Sequence, residues 1–165
     1  SFWCARIIGY PPLQDARGAV GESVGVHTDY GCWTILAQDD TPGALQVQRF
    51  DGSWIQADPI PGAFVVNLGD MLSLWTGSRF AATPHRVRHT HPGRYRTSVA
   101  FFFEPNFDAV IKPLGIVGDG SPVSPDRSSH FGNFSEPLQR AMQGGHLVYG
   151  EHAFAKVSAN FDFAR

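Results

Sequence analysis

The chain has 165 residues, 42% hydrophobic and 17% charged, with a formal net charge of -2 and a pI near 6.3. That length and apolar content suit one folded domain with a proper core and exclude a disordered segment or a disulfide-stapled miniature. Nucleic acid and membrane are not expected partners: no basic patch is visible, and no apolar run approaches the roughly 20 residues that span a bilayer.

Taken in chain order, residues 2–10 (FWCARIIGY) read as a strand closed by Pro11-Pro12, and residues 13–25 as a Gly- and polar-rich loop. Nothing in the first ten residues resembles a secretory signal. Residues 26–38 hold one or two strands. Leu45 to Gln48 alternates apolar and polar, and Asp51-Gly52 turns it into Trp54-Ile55 as a hairpin. After a turn at Pro59 to Gly62, Ala63 to Leu68 is an apolar run of strand length. Periodicity leaves Met71 to Trp75 open between strand and helical turn. Val87 to His89 reads as a short strand, and Arg96 to Glu104 (RTSVAFFFE) is the strongest strand of the chain. Gly115 to Asn133 reads as a long loop. Ser135 to Phe161 reads as helix, with Ser135 as N-cap and Gly144-Gly145 dividing it in two. Cys4 and Cys32 form no spaced framework and are expected as reduced thiols of a cytoplasmic protein.

His27-Thr28-Asp29 places an imidazole and a carboxylate two residues apart, on one face of a strand. Such a pair supplies two ligands of a 2-His-1-carboxylate facial triad, which leaves coordination positions open. By itself the tripeptide is weak evidence, because a His beside an Asp is more often a simple hydrogen-bonded or surface pair. The third ligand must come from a distant strand, and His85, His89 and His91 all qualify by position, although His89-Thr90-His91 reads more simply as a solvated turn. In the strongest strand, Arg96, Ser98, Ala100 and Phe102 share a face. A guanidinium beside a hydroxyl makes a carboxylate clamp, and Ala100 and Phe102 continue it as an apolar wall. Thr97, Val99, Phe101 and Phe103 are expected to pack outward against helix.

These features occur together with Ile8-Gly9-Tyr10-Pro11-Pro12, Gly43-Ala44-Leu45-Gln46-Val47, Trp54, Asn67-Leu68-Gly69-Asp70, His85-Arg86-Val87, Arg96-Thr97-Ser98, Phe101 to Pro105 and Ile111 to Leu114. Over about residues 5–114 the chain resembles the 2-oxoglutarate and Fe(II)-dependent dioxygenase superfamily, in its isopenicillin N synthase-like branch. A weaker echo lies at Tyr149-Gly150-Glu151. The resemblance implies a mainly β fold, a double-stranded β-helix (jelly-roll) barrel with C-terminal helices, residues 1–114 forming the core and 115–165 a loop and helical segment of the same domain. It selects His85 as the third metal ligand beside His27 and Asp29. It assigns Arg96, Ser98 and Tyr10 to the cosubstrate and Phe102, with Ala100, to the substrate wall. Three departures stand out: Ile8 replaces an Asn common in the family, the stretch from His85 to Arg96 is about a residue longer than common, and the helix-rich N-terminal region of the family is not seen.

The expected activity is oxidation, hydroxylation or desaturation, of a small and largely apolar organic substrate. Fe(II), 2-oxoglutarate and O2 would be consumed or held, and succinate and CO2 released. Rival readings are an oxidase of the same fold that does not use 2-oxoglutarate, a barrel that binds metal or small molecules without turnover, and a zinc hydrolase, in which the Arg96 clamp would have no purpose. Asp70 reads as a turn residue. Arg86, Arg88 and Arg94 read as solvated strand ends, and His130, His146 and His152 as surface residues.

Overall fold

The computed structural model describes residues 1–12, 23–89, 91–114, 136–142 and 145–160. Those residues are mainly β. The strands are β1 (Phe2–Tyr10), β2 (Val24–His27), β3 (Trp33–Gln38), β4 (Leu45–Gln48), β5 (Trp54–Gln56), β6 (Val65–Leu68), β7 (His85–Val87), β8 (Arg96–Glu104), β9 (Val110–Ile111) and β10 (Leu147–Val148). The described residues also form the helices α1 (Asp70–Trp75), α2 (Glu136–Met142) and α3 (Tyr149–Asn160).

Two antiparallel four-stranded sheets form, in the orders β1-β8-β3-β6 and β2-β7-β4-β5, and β9 pairs with β10. Turn chemistry sets several boundaries. Gly52 (φ 83°) closes the β4-β5 hairpin and Gly62 (φ 76°) the turn before β6, conformations that L side chains rarely adopt. In β8 the period of two holds: Arg96, Ser98 and Ala100 are buried on one face. Their neighbours in register continue that face, Tyr10 and Ile8 on β1, Leu36 and Thr34 on β3. Tyr10, Leu45 and Val87, with Ile8, Leu36 and Val65 against them, form a core drawn from both sheets. A second core gathers Met71, Leu74, Leu138, Leu147 and Ala153 from the helices and β10 beside Trp33 and Phe103. Burying a leucine of this kind contributes about 2 kcal/mol.

The structure departs from the sequence expectations at identifiable places. β7 starts at His85, two residues before the expected Val87, because it pairs with Val47 and His27 there. Residues 71–75 are helix. The strand after residue 23 begins at Val24, inside the expected loop. Between α2 and α3 the chain inserts the two-residue β10 against β9, an element with no periodicity to betray it. Among the described residues, the outer face of β8 meets the helical core at Phe103, whose ring stacks on Trp33 at 4.5 Å. Further along, Val99 (40% exposed), Ile7 (80%) on β1 and Val66 (60%) on β6 form an open apolar face. Residues 13–22 and 115–133, both expected as loop, and Ser135 and Gly144 lie outside the described residues. No helix among those described is long and apolar enough to cross a membrane.

This burial pattern makes a contrast measurable by urea unfolding. Leu138→Ala, in the helical core, is expected to cost about 2–5 kcal/mol. Ile7→Thr, a strand-compatible change on the open face, is expected to stay within about 0.5 kcal/mol. Equal costs would contradict the assignment of the open face.

Candidate metal centre

One cavity, about 100 Å³, lies between the two sheets and is lined by every strand of both except β5. All eight residues singled out from the sequence line it: Tyr10, His27, Asp29, His85, Arg96, Ser98, Ala100 and Phe102. His89 and His91 do not. His89 is buried with Nε2 2.8 Å from the Arg94 carbonyl, and His91 Nε2 lies 3.0 Å from the Pro42 carbonyl. The expected solvated turn is thus half wrong: His89 holds the loop from inside.

His27 reaches the cavity through a local irregularity. β2 pairs Val24 with Val87 and His27 with His85, three residues against two, so a bulge restores His27 to the inner face that simple alternation denies it. Asp29 corrects the expectation that both ligands stand on one strand: β2 ends at His27, and Asp29 sits in the loop that follows. That loop is pinned by two glycines. A Cβ on Gly69 would stand 2.3 Å from the Gly31 carbonyl oxygen, and one on Gly31 would strike the Glu104 carboxylate, so both positions exclude a side chain.

The donor atoms are pre-set. His27 Nδ1 lies 2.8 Å from the Gly25 carbonyl and His85 Nδ1 3.0 Å from the Thr83 carbonyl. A carbonyl only accepts, so each Nδ1 carries the proton and each Nε2 presents its lone pair inward. Burial, and then the neighbouring His85, holds the His27 imidazole below its ordinary value, which favours the neutral ligand form. The Thr34 hydroxyl (2.7 Å) and the Asn67 amide (2.6 Å) both donate to Asp29 Oδ2. Oδ1 is left facing His27 Nε2 at 3.9 Å and His85 Nε2 at 3.6 Å. One ligand atom from each residue lies within 4.8 Å of the others. Metal–ligand bonds near 2.1 Å set neighbouring ligands about 3 Å apart, so the donors need draw together by about 2 Å at most.

The other end of the cavity carries the second test of fit. Arg96 is fully buried, its guanidinium 4.7 Å from the centre of the Tyr10 ring. Its Nη2 donates to Gln38 Oε1 at 2.9 Å, while Nε and Nη1 have no hydrogen-bond partner among the described residues. A buried cation with two idle donors is costly unless an anion joins it. Ser98, also buried, follows on the same face. The donor set and the idle guanidinium fit a metal with an anionic co-ligand.

Thr34, Asn67 and Gln38 were not singled out from the sequence; Asn67 stood only within the matched stretch Asn67-Leu68-Gly69-Asp70. His152 was expected on the surface and is fully buried, 3.1 Å from Asp70. Asp70 itself is buried as the first residue of α1. Arg86 stacks over Trp54 at 4.0 Å and Arg94 pairs with Asp40, so neither is a freely solvated strand end.

Comparison with known proteins agrees with this geometry. Homoarginine-6-hydroxylase 2-ODD-C23.1 of Arabidopsis thaliana is 43% identical over 97% of the chain and 45% of its own length. Homoarginine-6-hydroxylase 2-ODD-233 of Oryza sativa is 41% identical over 97% of the chain and 44% of its own length. The chain therefore spans less than half the length of these relatives. Among solved structures, the rice dioxygenase for auxin oxidation superposes with a TM-score of 0.70 at 27% identity, over 94% of this chain and 46% of that one. A full-length Neurospora crassa protein solved in complex with alpha-KG gives 0.68 at 26% identity, over 95% of this chain and 44% of that one. The family model described as the 2OG-Fe(II) oxygenase superfamily matches residues 3–105, and with these relatives it places the chain in that superfamily.

Proposed function

We propose that this chain carries the catalytic core of an Fe(II)- and 2-oxoglutarate-dependent oxygenase that hydroxylates or desaturates a small organic substrate. Buried Arg96, which lines the same cavity as the three convergent donors and keeps two donors without a partner among the described residues, carries the reading. His27 Nε2, Asp29 Oδ1 and His85 Nε2 would hold the metal on one side. Arg96 and Ser98 would bind the far carboxylate of 2-oxoglutarate, and Tyr10 walls the guanidinium. Bound Fe(II), with 2-oxoglutarate and O2, would supply the oxidising power and release succinate and CO2. The protein orients the reactants and excludes water.

The two facing sheets, together with the family membership, support a jelly-roll barrel over residues 1–114, with α2 and α3 belonging to the same domain. The cavity walls Ile8, Leu36, Val65 and Phe102 support a largely apolar substrate segment beside the metal. Homoarginine is the first compound to try, because the similar plant proteins are named for it. Free Cys4 and Cys32 support a reducing, cytoplasmic setting. An oxidase that does not use 2-oxoglutarate would leave Arg96 without its anion.

Succinate release from 2-oxoglutarate, dependent on added Fe(II), tests the reading, and its absence with every candidate substrate would sink it. Arg96→Met is expected to weaken 2-oxoglutarate binding by about 100-fold or more, from loss of a desolvated charged pair, with Fe(II) affinity nearly unchanged. Calorimetry separates the two. Asn67→Leu is expected to do the reverse, lowering metal affinity about 10- to 100-fold by freeing Asp29 Oδ2. An unchanged metal affinity in Asn67→Leu would refute the role given to that amide.

A further inference from the structure

A buried ionic cluster sits behind the candidate metal centre, and nothing in the proposed chemistry uses it. Asp70 is 1% exposed, and its Oδ2 lies 3.1 Å from both His152 Nε2 and Lys156 Nζ. Both partners come from α3, which lies outside residues 3–105 matched by the family model. Buried carboxylates are tolerable only when paired in this way, but the pairing alone does not explain where the cation goes next.

Lys156 Nζ also donates to Thr28 Oγ1 at 3.0 Å and lies 5.6 Å from the centre of the Tyr30 ring. Thr28 and Tyr30 are the residues on either side of Asp29. His152 meets the same Tyr30 ring edge-on at 6.4 Å. On the backbone, the Asp70 N–H donates to the Asp29 carbonyl and the Met71 N–H to the Gly31 carbonyl, both at 2.9 Å. Asp70 thus grips the loop twice, directly through its main chain and indirectly through the cation on its carboxylate.

We infer that Lys156 of α3, held by Asp70, is a positioning residue for the metal centre: it clamps Thr28 and Tyr30 so that Asp29 Oδ1 stays turned toward His27 and His85. The inference rests on the metal-centre reading given above. It makes the C-terminal helix part of the metal-holding unit rather than a cover for the sheet edge. Thr34 and Asn67 fix the carboxylate from the cavity side; Lys156 holds the flanking side chains of Thr28 and Tyr30. A ligand held from one side only would keep its hydrogen bonds but lose its aim.

The test uses the whole chain, with Co(II) as the probe metal, reading affinity and the visible absorption that reports ligand geometry. Thermal unfolding is followed in parallel. Lys156→Met and Thr28→Val are each expected to weaken Co(II) binding by about 10-fold and to alter the spectrum, in the range typical of residues that orient metal ligands. Lys156→Arg, which keeps the charge and a donor, is expected to recover most of both. Thr28→Val is the decisive variant, because it removes only the tether and leaves the Asp70–Lys156 pair intact; it also decides the matter if Lys156→Met does not fold. A folded Thr28→Val with wild-type affinity and spectrum would overturn the inference while leaving the metal centre standing. Wild-type protein that binds no Co(II) would instead overturn the metal centre itself, and the clamp with it.

Discussion

The site depends on a division of labour between the two oxygens of one carboxylate. Asp29 Oδ2 is occupied by the Thr34 hydroxyl and the Asn67 amide, which leaves Oδ1 as the atom turned to the imidazoles. A loop carboxylate with both oxygens free would rotate. That constraint reaches outward into the fold. Thr34 and Asn67 can share one oxygen because β3 and β6 pair them across the sheet. The loop can come close enough because Gly31 and Gly69 carry no side chain where backbone meets backbone. Loss of either glycine would move the ligand before it touched the metal.

The cavity is polar at its ends and apolar between them, and each end has its own physical demand. At one end, two imidazoles with protonated Nδ1 present lone pairs beside a carboxylate. That is a set of convergent electron-pair donors that a cation would complete. At the other, Arg96 is sealed from water with two of its donors idle. The aromatic face of Tyr10 softens that cost without replacing an anion. A dicarboxylate keto acid, chelating at one end and ion-paired at the other, answers both demands with one molecule. Hydrolytic zinc chemistry answers only the first.

Much of this was legible in the sequence because β8 obeys its period. Once Arg96, Ser98, Ala100 and Phe102 were placed on one face, their common place in the cavity lining followed, and all eight residues named in advance line one cavity. Local pattern failed where the decisive contact was non-local or the period was broken. Strict alternation from Val24 would have turned His27 outward, and the bulge opposite His85 and Val87 returns it. His152 reads as one more polar residue on a weakly patterned helix; its burial comes from Asp70, far away in the chain. Thr34 and Asn67 are ordinary strand residues until β3 and β6 are known to be neighbours.

Anaerobic titration of this chain with Fe(II) and 2-oxoglutarate, followed by visible absorption, tests the central claim most directly. The account requires one iron per chain and a weak visible charge-transfer band that appears only when iron and 2-oxoglutarate are both present and is lost in Asp29→Ala. Iron that binds without producing the band, or a band that survives Asp29→Ala, would contradict it.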